Sequence, residues 1–299
     1  MLGVVFILLL NSVTLIHCIS RNITTSDPIF TVVREPSPLA QQNLTLCSSR
    51  NTVNILLIGQ DRREGEPRAR ADCMIVCTFH PGDPVLTMTS FLRDLYVEIP
   101  GYAKNRINAA YAFGGMPLLR QTFQENFGIA VDGCIEVDFC QFPTLIDLAG
   151  GITIDLRPDE AACINTEVPH STLCEGSQHL NGAQALAYAR IRDLDSDGDF
   201  SRTNRQRKIL IALMDQCKST GLSDLLPLLK KAADMISTDI RQGQLLSLIT
   251  EVSPMLSRME IVSQRIPIEG SYTHEIIDGM AVLAADLEAN RAFLNSSLG

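Results

Sequence analysis

Val53-Asn54-Ile55-Leu56-Leu57-Ile58, closed by Gly59, is a short apolar run that reads as a buried strand. Two more runs follow, Cys73 to Phe79 (CMIVCTF) and Val85 to Ser90 (VLTMTS). The link between them, His80-Pro81-Gly82-Asp83-Pro84, carries the Gly and Pro of a hairpin turn. Beyond these strands the period changes. Asn108 to Phe113 and Met116 to Phe127 are predicted helices, separated by Gly114-Gly115, with Gly128 as the cap of the second. A strand is expected at Cys134 to Val137, a helix at Phe139 to Ala149 and a strand at Ile152 to Leu156. Asn181 to Arg192 opens on a good N-cap residue and continues in strong helix formers. Thr203 to Lys218 is amphipathic, with Ile209, Leu210, Leu213 and Cys217 at helical spacing. Helices at Leu222 to Met235 and Gln242 to Val252, then a strand at Glu260 to Ile266, complete the pattern. Such alternation predicts an α/β fold over residues 51–270, a single α/β/α sandwich around a central mixed, twisted sheet. Residues 271–299 read as a helical extension, through the amphipathic segment Met280 to Leu294.

The chain has 299 residues, 45 % of them hydrophobic, which suffices to bury a real core. Its net charge of −9 argues against a general nucleic-acid binder, which needs a basic face. With no tryptophan and few aromatics, carbohydrate binding on aromatic platforms is not the obvious reading. Met1 to Ile19 is almost uninterrupted apolar sequence, near the lower limit for crossing a bilayer of about 30 Å. An uncleaved anchor is the first reading, with a cleaved signal peptide and a buried helix as alternatives. The first two place the rest of the chain outside the cytoplasm. Ser20 to Arg50, polar and broken by Pro28, Pro36 and Pro38, reads as a stalk. Cys163 and Cys174 bracket a short insertion and are the preferred disulfide pair, while Cys134 and Cys140 read as buried thiols. No Cys-x-x-Cys pair occurs, which argues against a structural zinc site.

Charge collects at strand ends. Asp61 and Arg62 follow the first strand, Asp72 precedes the second, and Arg93-Asp94 follow the third. Ligands of open α/β sheets favour that edge, although surface salt bridges are the plain alternative. Residues 188–208 carry +2 against −11 for the rest of the chain, and five of their six basic groups are arginine. Arginine's planar fork suits phosphate, and Arg202, Arg205 and Gln206 are expected to open a helix, where backbone N–H groups also attract anions. Together these residues predict a pyrophosphate clamp, with Asp61 and Asp72 placed to hold a magnesium ion. Asp193, Asp195, Asp197 and Asp199 match the front half of an EF-hand loop, but Asn204 stands where its bidentate glutamate belongs. An acidic turn that balances the arginines is the better reading.

These segments, in this order, resemble the LytR-CpsA-Psr family of bacterial cell-wall proteins. The resemblance rests on Asn54–Arg62, Arg70-Ala71-Asp72, Arg93–Gly101, Lys104–Tyr111 with Gly114-Gly115, Leu180–Arg192 and Gly198–Gln206. It implies an N-terminal membrane anchor with an extracytoplasmic catalytic domain. It implies transfer of a glycopolymer, such as teichoic acid or capsule, from a polyprenyl-pyrophosphate lipid to peptidoglycan. On that resemblance Asp61 and Asp72 associate with Mg2+, or Mn2+ in its place. Arg93, Arg190, Arg192 and Arg202 bind the pyrophosphate, Arg205 and Gln206 share the last motif, and Arg62 stands beside them. Arg93 and Arg202 would stabilise the reacting phosphate, and Asp94 or Asp61 would serve as base. Leu118, Leu119, Phe123, Ile146 and Leu148 could line a cleft for the lipid tail, with core packing as the plain alternative. Gln60, where the family often has a small residue, and Ser201, in place of a frequent glycine, depart from the pattern. Two other functions stay open: hydrolysis of the same lipid, and non-catalytic binding of lipid phosphate by a regulator of envelope assembly.

Overall fold

A computed structural model of the chain describes residues 52–60, 68–192, 194–195, 198–219, 232, 235–241, 243–244, 247–248, 252, 255 and 258–298. The expected anchor and stalk, Asp61, Arg62, and most of the two helices expected between Leu222 and Val252 lie outside them. Among the described residues no helix is long and apolar enough to cross a membrane. They fall into two compact units.

The first unit comprises the described parts of Val32–Glu136, Ser237–Gln244 and Arg258–Gly299. Strands β1 (Val53–Gln60), β2 (Ala71–Phe79) and β3 (Val85–Phe91) form at the three apolar runs. They pair antiparallel, with Leu56 opposite Val76 and Ile75 opposite Ser90. Nearly every residue of β2 is buried, which is why the runs are continuous and do not alternate. A small ribbon follows, β4 (Tyr96–Val97) against β5 (Asn105–Arg106). Helix α1 (Ile107–Phe127) is broken where the glycine pair predicts, at Gly114 (φ −142°) and Gly115 (φ 64°). The positive φ of Gly115 favours glycine there, and a Cβ would also lie 2.9 Å from Cζ of Arg68 and push its guanidinium aside. Pro117 then stands in the first turn of the second segment, a position that needs no N–H donor. Strand β6 (Gly133–Asp138) follows.

The second unit comprises the described parts of Val137–Ile236 and Leu245–Ser257. Helix α2 (Phe142–Leu148) is shorter than expected because Pro143 starts it and does not sit within it. β7 (Ile152–Leu156) leads into α3 (Pro158–Glu167) and β8 (Gly176–Leu180), which pairs back on β7 with Ile152 opposite Leu180. Helix α3 was not expected from the sequence pattern, and its last turn runs into the insertion bracketed by Cys163 and Cys174. Its opening, Pro158-Asp159-Glu160, is a proper helix start, with proline first and acids in the first turn. The expected Cys163–Cys174 bridge is not made: Cys174 is exposed and carries a free thiol, while Cys163 lies half-buried on α3. Cys140 is also exposed, not buried, whereas Cys134 is buried as expected. Helix α4 (Gly182–Arg190) begins at the expected cap: Asn181 accepts from the Gln184 N–H while the Gln184 side chain accepts from the Asn181 N–H. Helix α5 (Asp199–Ser219) starts four residues before its expected opening, which moves Arg202 and Arg205 out of the helix mouth.

The chain returns to the first unit with β9 (Ser237–Thr238), β10 (Glu260–Ile266), β11 (Tyr272–Ile277), β12 (Met280–Ala285) and α6 (Leu287–Leu298). The central sheet runs β10-β3-β2-β1-β6-β9 and is mixed, as expected, with β10 parallel to β3. Met280 to Ala285 forms a strand, not the start of a helix. Asp278 and Gly279 both take positive φ, 50° and 75°, and this tight turn folds β12 onto β11. Asp286 then caps α6 by accepting from the Ala289 N–H. Beneath the sheet Phe91 packs edge-on against Phe123 and Phe127 at 4.7 and 4.9 Å. Burying each such ring contributes on the order of 1.5–3 kcal/mol. Leu119 and Phe123 are therefore core residues, and so is Ile146 in the second unit.

Candidate active site

In the first unit the register decides what meets at the sheet edge. With Ile75 opposite Ser90 in an antiparallel pair, stepping three residues outward brings Asp72 opposite Arg93. Arg93 Nη1 donates to Asp72 Oδ1 at 2.7 Å, and its Nε lies 3.5 Å from Asp94 Oδ2. Arg106 Nη1 donates to the other oxygen of Asp94 at 2.9 Å. The order Asp72–Arg93–Asp94–Arg106 thus alternates in sign, and each side chain is 21–23 % exposed. Backbone bonds fix the segment from three sides. Leu92 N–H donates to Ile266 O, Ile107 and Asn108 N–H donate to Leu95 O and Arg93 O, and Leu283 N–H donates to Asp94 O. Arg106 was not singled out from the sequence, although it lies in a segment that carries the resemblance. Its partner stands twelve residues away, beyond the reach of local spacing rules. Beside it Asn108 is 2 % exposed, and its Oδ1 has no hydrogen-bond partner among the described residues. A buried acceptor left without a partner calls for an explanation, and a bound ligand is one.

A second carboxylate group in this unit was also missed. Glu136 on β6 accepts from Gln60 Nε2 with one oxygen and from the Tyr111 hydroxyl with the other. Burial, with Glu136 next, pushes the Tyr111 phenol upward, so it stays a neutral donor. Arg68 lies over the Tyr111 ring at 5.8 Å, and Gln60 Oε1 accepts from the Ala69 N–H.

The arginine-rich window belongs to the second unit. Arg190, the last residue of α4, and Arg192 are exposed. Arg202 is 2 % exposed on α5 and pairs with Asp199 at 2.6 Å. Gln206 is buried, and its Oε1 has no hydrogen-bond partner among the described residues. Arg205 is committed inward: its Nε donates to Glu160 Oε1 at 2.8 Å, its Nη1 to Ile191 O at 3.2 Å and its Nη2 to Asp195. Arg157 holds the other oxygen of Asp195 at 2.8 Å. The described acids of the EF-hand-like stretch, Asp195 and Asp199, therefore balance arginines, as expected. Tyr188, fully buried, has its phenol raised by burial and then by Glu160.

Arg157 first, and Arg205 after it, hold the Asp195 carboxyl at about 2, against an ordinary value of 3.8 and against its own desolvation. A lowered folded value means that the stabilisation is complete above the unfolded value and is lost as pH falls through the folded one. We expect urea midpoints of the wild type to drop between about pH 4 and pH 2 more steeply than those of Asp195→Asn. Equal slopes for the two proteins over that window would refute the assignment.

Of the two expected magnesium ligands only Asp72 is described. Arg93 occupies its Oδ1, and its second oxygen is the hard donor such an ion takes. Among the described residues no cluster of three or more His, Cys, Asp or Glu could hold a metal by itself.

Comparison with known proteins bears on this site. The profile of the LytR_cpsA_psr family matches residues 23–296. The polyisoprenyl-teichoic acid–peptidoglycan teichoic acid transferase TagU of Oceanobacillus iheyensis is 32 % identical over 270 residues, 86 % of this chain and 79 % of that protein. The crystal structure of Bacillus subtilis TagV is 29 % identical, with a TM-score of 0.64 over 84 % of this chain and 98 % of that one. TagT with bound octaprenyl pyrophosphate lipid shares the fold, at a TM-score of 0.64 and 23 % identity, over 89 % of this chain and 94 % of that one. A profile that spans the sheet-edge ion pairs and the arginine window together settles the ancestry: the chain belongs to the LytR-CpsA-Psr family.

Proposed function

We propose that the protein transfers a glycopolymer of the teichoic acid class from a polyprenyl-pyrophosphate carrier to peptidoglycan. The alternating cluster Asp72–Arg93–Asp94–Arg106, fixed at the sheet edge, carries this reading. TagU and TagV, named as transferases of that class, support it. A peptidoglycan hydroxyl attacks the phosphorus that bears the polymer, and a new O–P bond forms. The bridging P–O bond breaks, and polyprenyl phosphate leaves with the electron pair. Negative charge grows on the phosphoryl oxygens and on the leaving phosphate, where preorganised guanidinium groups stabilise it most.

In this reading Arg93 acts on the reacting phosphate, while Arg190, Arg192, Arg202, Gln206 and Arg62 serve the pyrophosphate. Asp94 accepts from Arg106 with one oxygen and faces Arg93 Nε at 3.5 Å with the other, so it orients both arginines, and the base is Asp94 or Asp61. Asp61 and Asp72 would hold Mg2+, or Mn2+, which supplies further neutralisation of phosphate charge. Arg205, enclosed by Glu160, Asp195 and the Ile191 carbonyl, frames the window from behind. The apolar segment Met1 to Ile19 anchors the chain, with the catalytic part on the extracytoplasmic face.

The test supplies full-length protein with a polymer on a polyprenyl-pyrophosphate lipid, Mg2+ and peptidoglycan sacculi. Polymer covalently attached to the sacculi, with one polyprenyl phosphate released per attachment, is the expected outcome. Release of free polymer phosphate without attachment would identify a hydrolase, and binding without turnover a regulator; either result defeats the proposal.

A further inference from the structure

Among the described residues four large hydrophobic side chains are well exposed, and two of them touch: Tyr102, 52 % exposed, and Phe113, 41 % exposed. Their rings stack with centroids 4.9 Å apart at an interplanar angle of 23°. Both are held by local sequence. Ile99-Pro100-Gly101-Tyr102 is a turn closed by Tyr102 N–H donating to Ile99 O at 2.9 Å, with Gly101 at φ 78°. Proline then glycine in the two central positions is the type II arrangement, and it fixes where Tyr102 emerges. Phe113 is the last residue before the Gly114-Gly115 break in α1, so its ring projects at the end of a helical segment.

The pair is also joined to the sheet-edge cluster by short lengths of chain. Tyr102 stands four residues before Arg106, so their Cα atoms are at most about 14 Å apart. Phe113 lies six residues beyond Ile107, about 9 Å along the helix axis. Arg106 itself is tied to Asp94 and through it to Arg93. An exposed stacked aromatic pair, within about the length of a short oligosaccharide from the phosphate-handling groups along the chain, suits one kind of occupant. The axial C–H faces of pyranose rings stack on aromatic rings, as other flat or polarised groups do.

We propose that Tyr102 and Phe113 form a sugar-stacking subsite that seats the glycan strand of the acceptor next to Arg93. This deepens the transfer reading and rests on it for the identity of the glycan. The overall scarcity of aromatics does not count against it, because a single stacked pair makes a platform. Neither ring belongs to the core, so both can be altered without a cavity.

The experiment separates the subsite from the transfer reading by measuring binding and turnover independently. Peptide-free glycan strands are titrated into the full-length protein by calorimetry, and attachment kinetics are followed in parallel. For Tyr102→Ala/Phe113→Ala we expect glycan affinity to fall roughly tenfold and the KM for acceptor to rise by the same factor. Affinity for the polyprenyl-pyrophosphate donor should not move. Tyr102→Phe/Phe113→Tyr should restore glycan binding, whereas Tyr102→Leu/Phe113→Leu, apolar without a ring face, should not. The leucine variant also guards against misfolding, since its thermal midpoint must match that of the aromatic swap. Wild-type protein that ignores glycan strands, alanine variants that bind them unchanged, or loss of donor or phospholipid-vesicle binding in place of glycan binding would each overturn the subsite. If wild type binds glycan through this pair but attaches no polymer, the subsite stands and the transfer reading falls.

Discussion

Arg93→Ala lowers polymer attachment roughly 10²–10³-fold, with most of the loss in kcat. The magnitude is that of removing one preorganised donor from a site where charge develops in the transition state. Arg93 is preorganised because Asp72 takes its Nη1, Asp94 stands 3.5 Å from its Nε, and four backbone hydrogen bonds fix the surrounding segment. It nevertheless remains about a fifth exposed, so the guanidinium reaches the surface of the sheet edge. Arg93→Lys should recover only a small part of the activity. An ammonium is a compact point charge that cannot present a fork to phosphate while held between two carboxylates. Asp94→Asn should cost less than Arg93→Ala and should act partly through KM for the donor, because it loosens both arginines without removing either. The check is steady-state attachment at several donor concentrations, with a thermal midpoint for each variant. Arg93→Ala with near wild-type kcat, in a folded protein, would move the chemistry away from this edge.

The central strands could be read from the chain because their apolar runs are bounded by unambiguous turn residues. Glu260 to Ile266 also became β10 to the residue, although EIVSQRI is no apolar run; its β-branched Ile261, Val262 and Ile266 and the Pro267 that stops it carried the reading. The Gly114-Gly115 break was legible because two adjacent glycines defeat helix continuity whatever the tertiary setting. Met280 to Ala285 was not, since Met-Ala-Val-Leu-Ala-Ala carries good helix formers, and the Asp278-Gly279 turn that makes it a strand lies just upstream. At the site, Asp72, Arg93 and Asp94 stood out as charges at strand ends, and the β2–β3 register brings them together. What composition could not show is which arginines of the window are committed inward. Glu160 is 45 residues from Arg205 in the chain, on a helix that the sequence pattern did not reveal. Glu136 was hidden likewise, because its two donors come from β1 and α1.

The buried pair yields the second large effect. Arg205 and Glu160 side chains are each 3 % exposed and 2.8 Å apart, and removing one partner from such a pair leaves a desolvated charge. Arg205→Ala should destabilise the protein by about 3–5 kcal/mol, since Glu160 then keeps only the Arg157 N–H at 3.1 Å and a guanidinium nitrogen at 3.9 Å. Glu160→Ala should fall at the lower end of that range, because Arg205 retains Asp195 and the Ile191 carbonyl. Arg205→Met/Glu160→Leu should recover much of the loss, since an apolar pair of similar volume carries no desolvation penalty. Urea unfolding of wild type, Arg205→Met, Glu160→Leu and the double variant closes the cycle, and a double variant markedly more stable than the sum of the two single losses is the expected sign of direct coupling. Donor affinity discriminates the roles. If Arg205 frames the window and does not touch the lipid pyrophosphate, the apolar double variant should bind donor within a few-fold of wild type. A folded Arg205→Ala that lost under 1 kcal/mol of stability yet bound donor a hundredfold more weakly would place Arg205 on the substrate and return it to the pyrophosphate clamp.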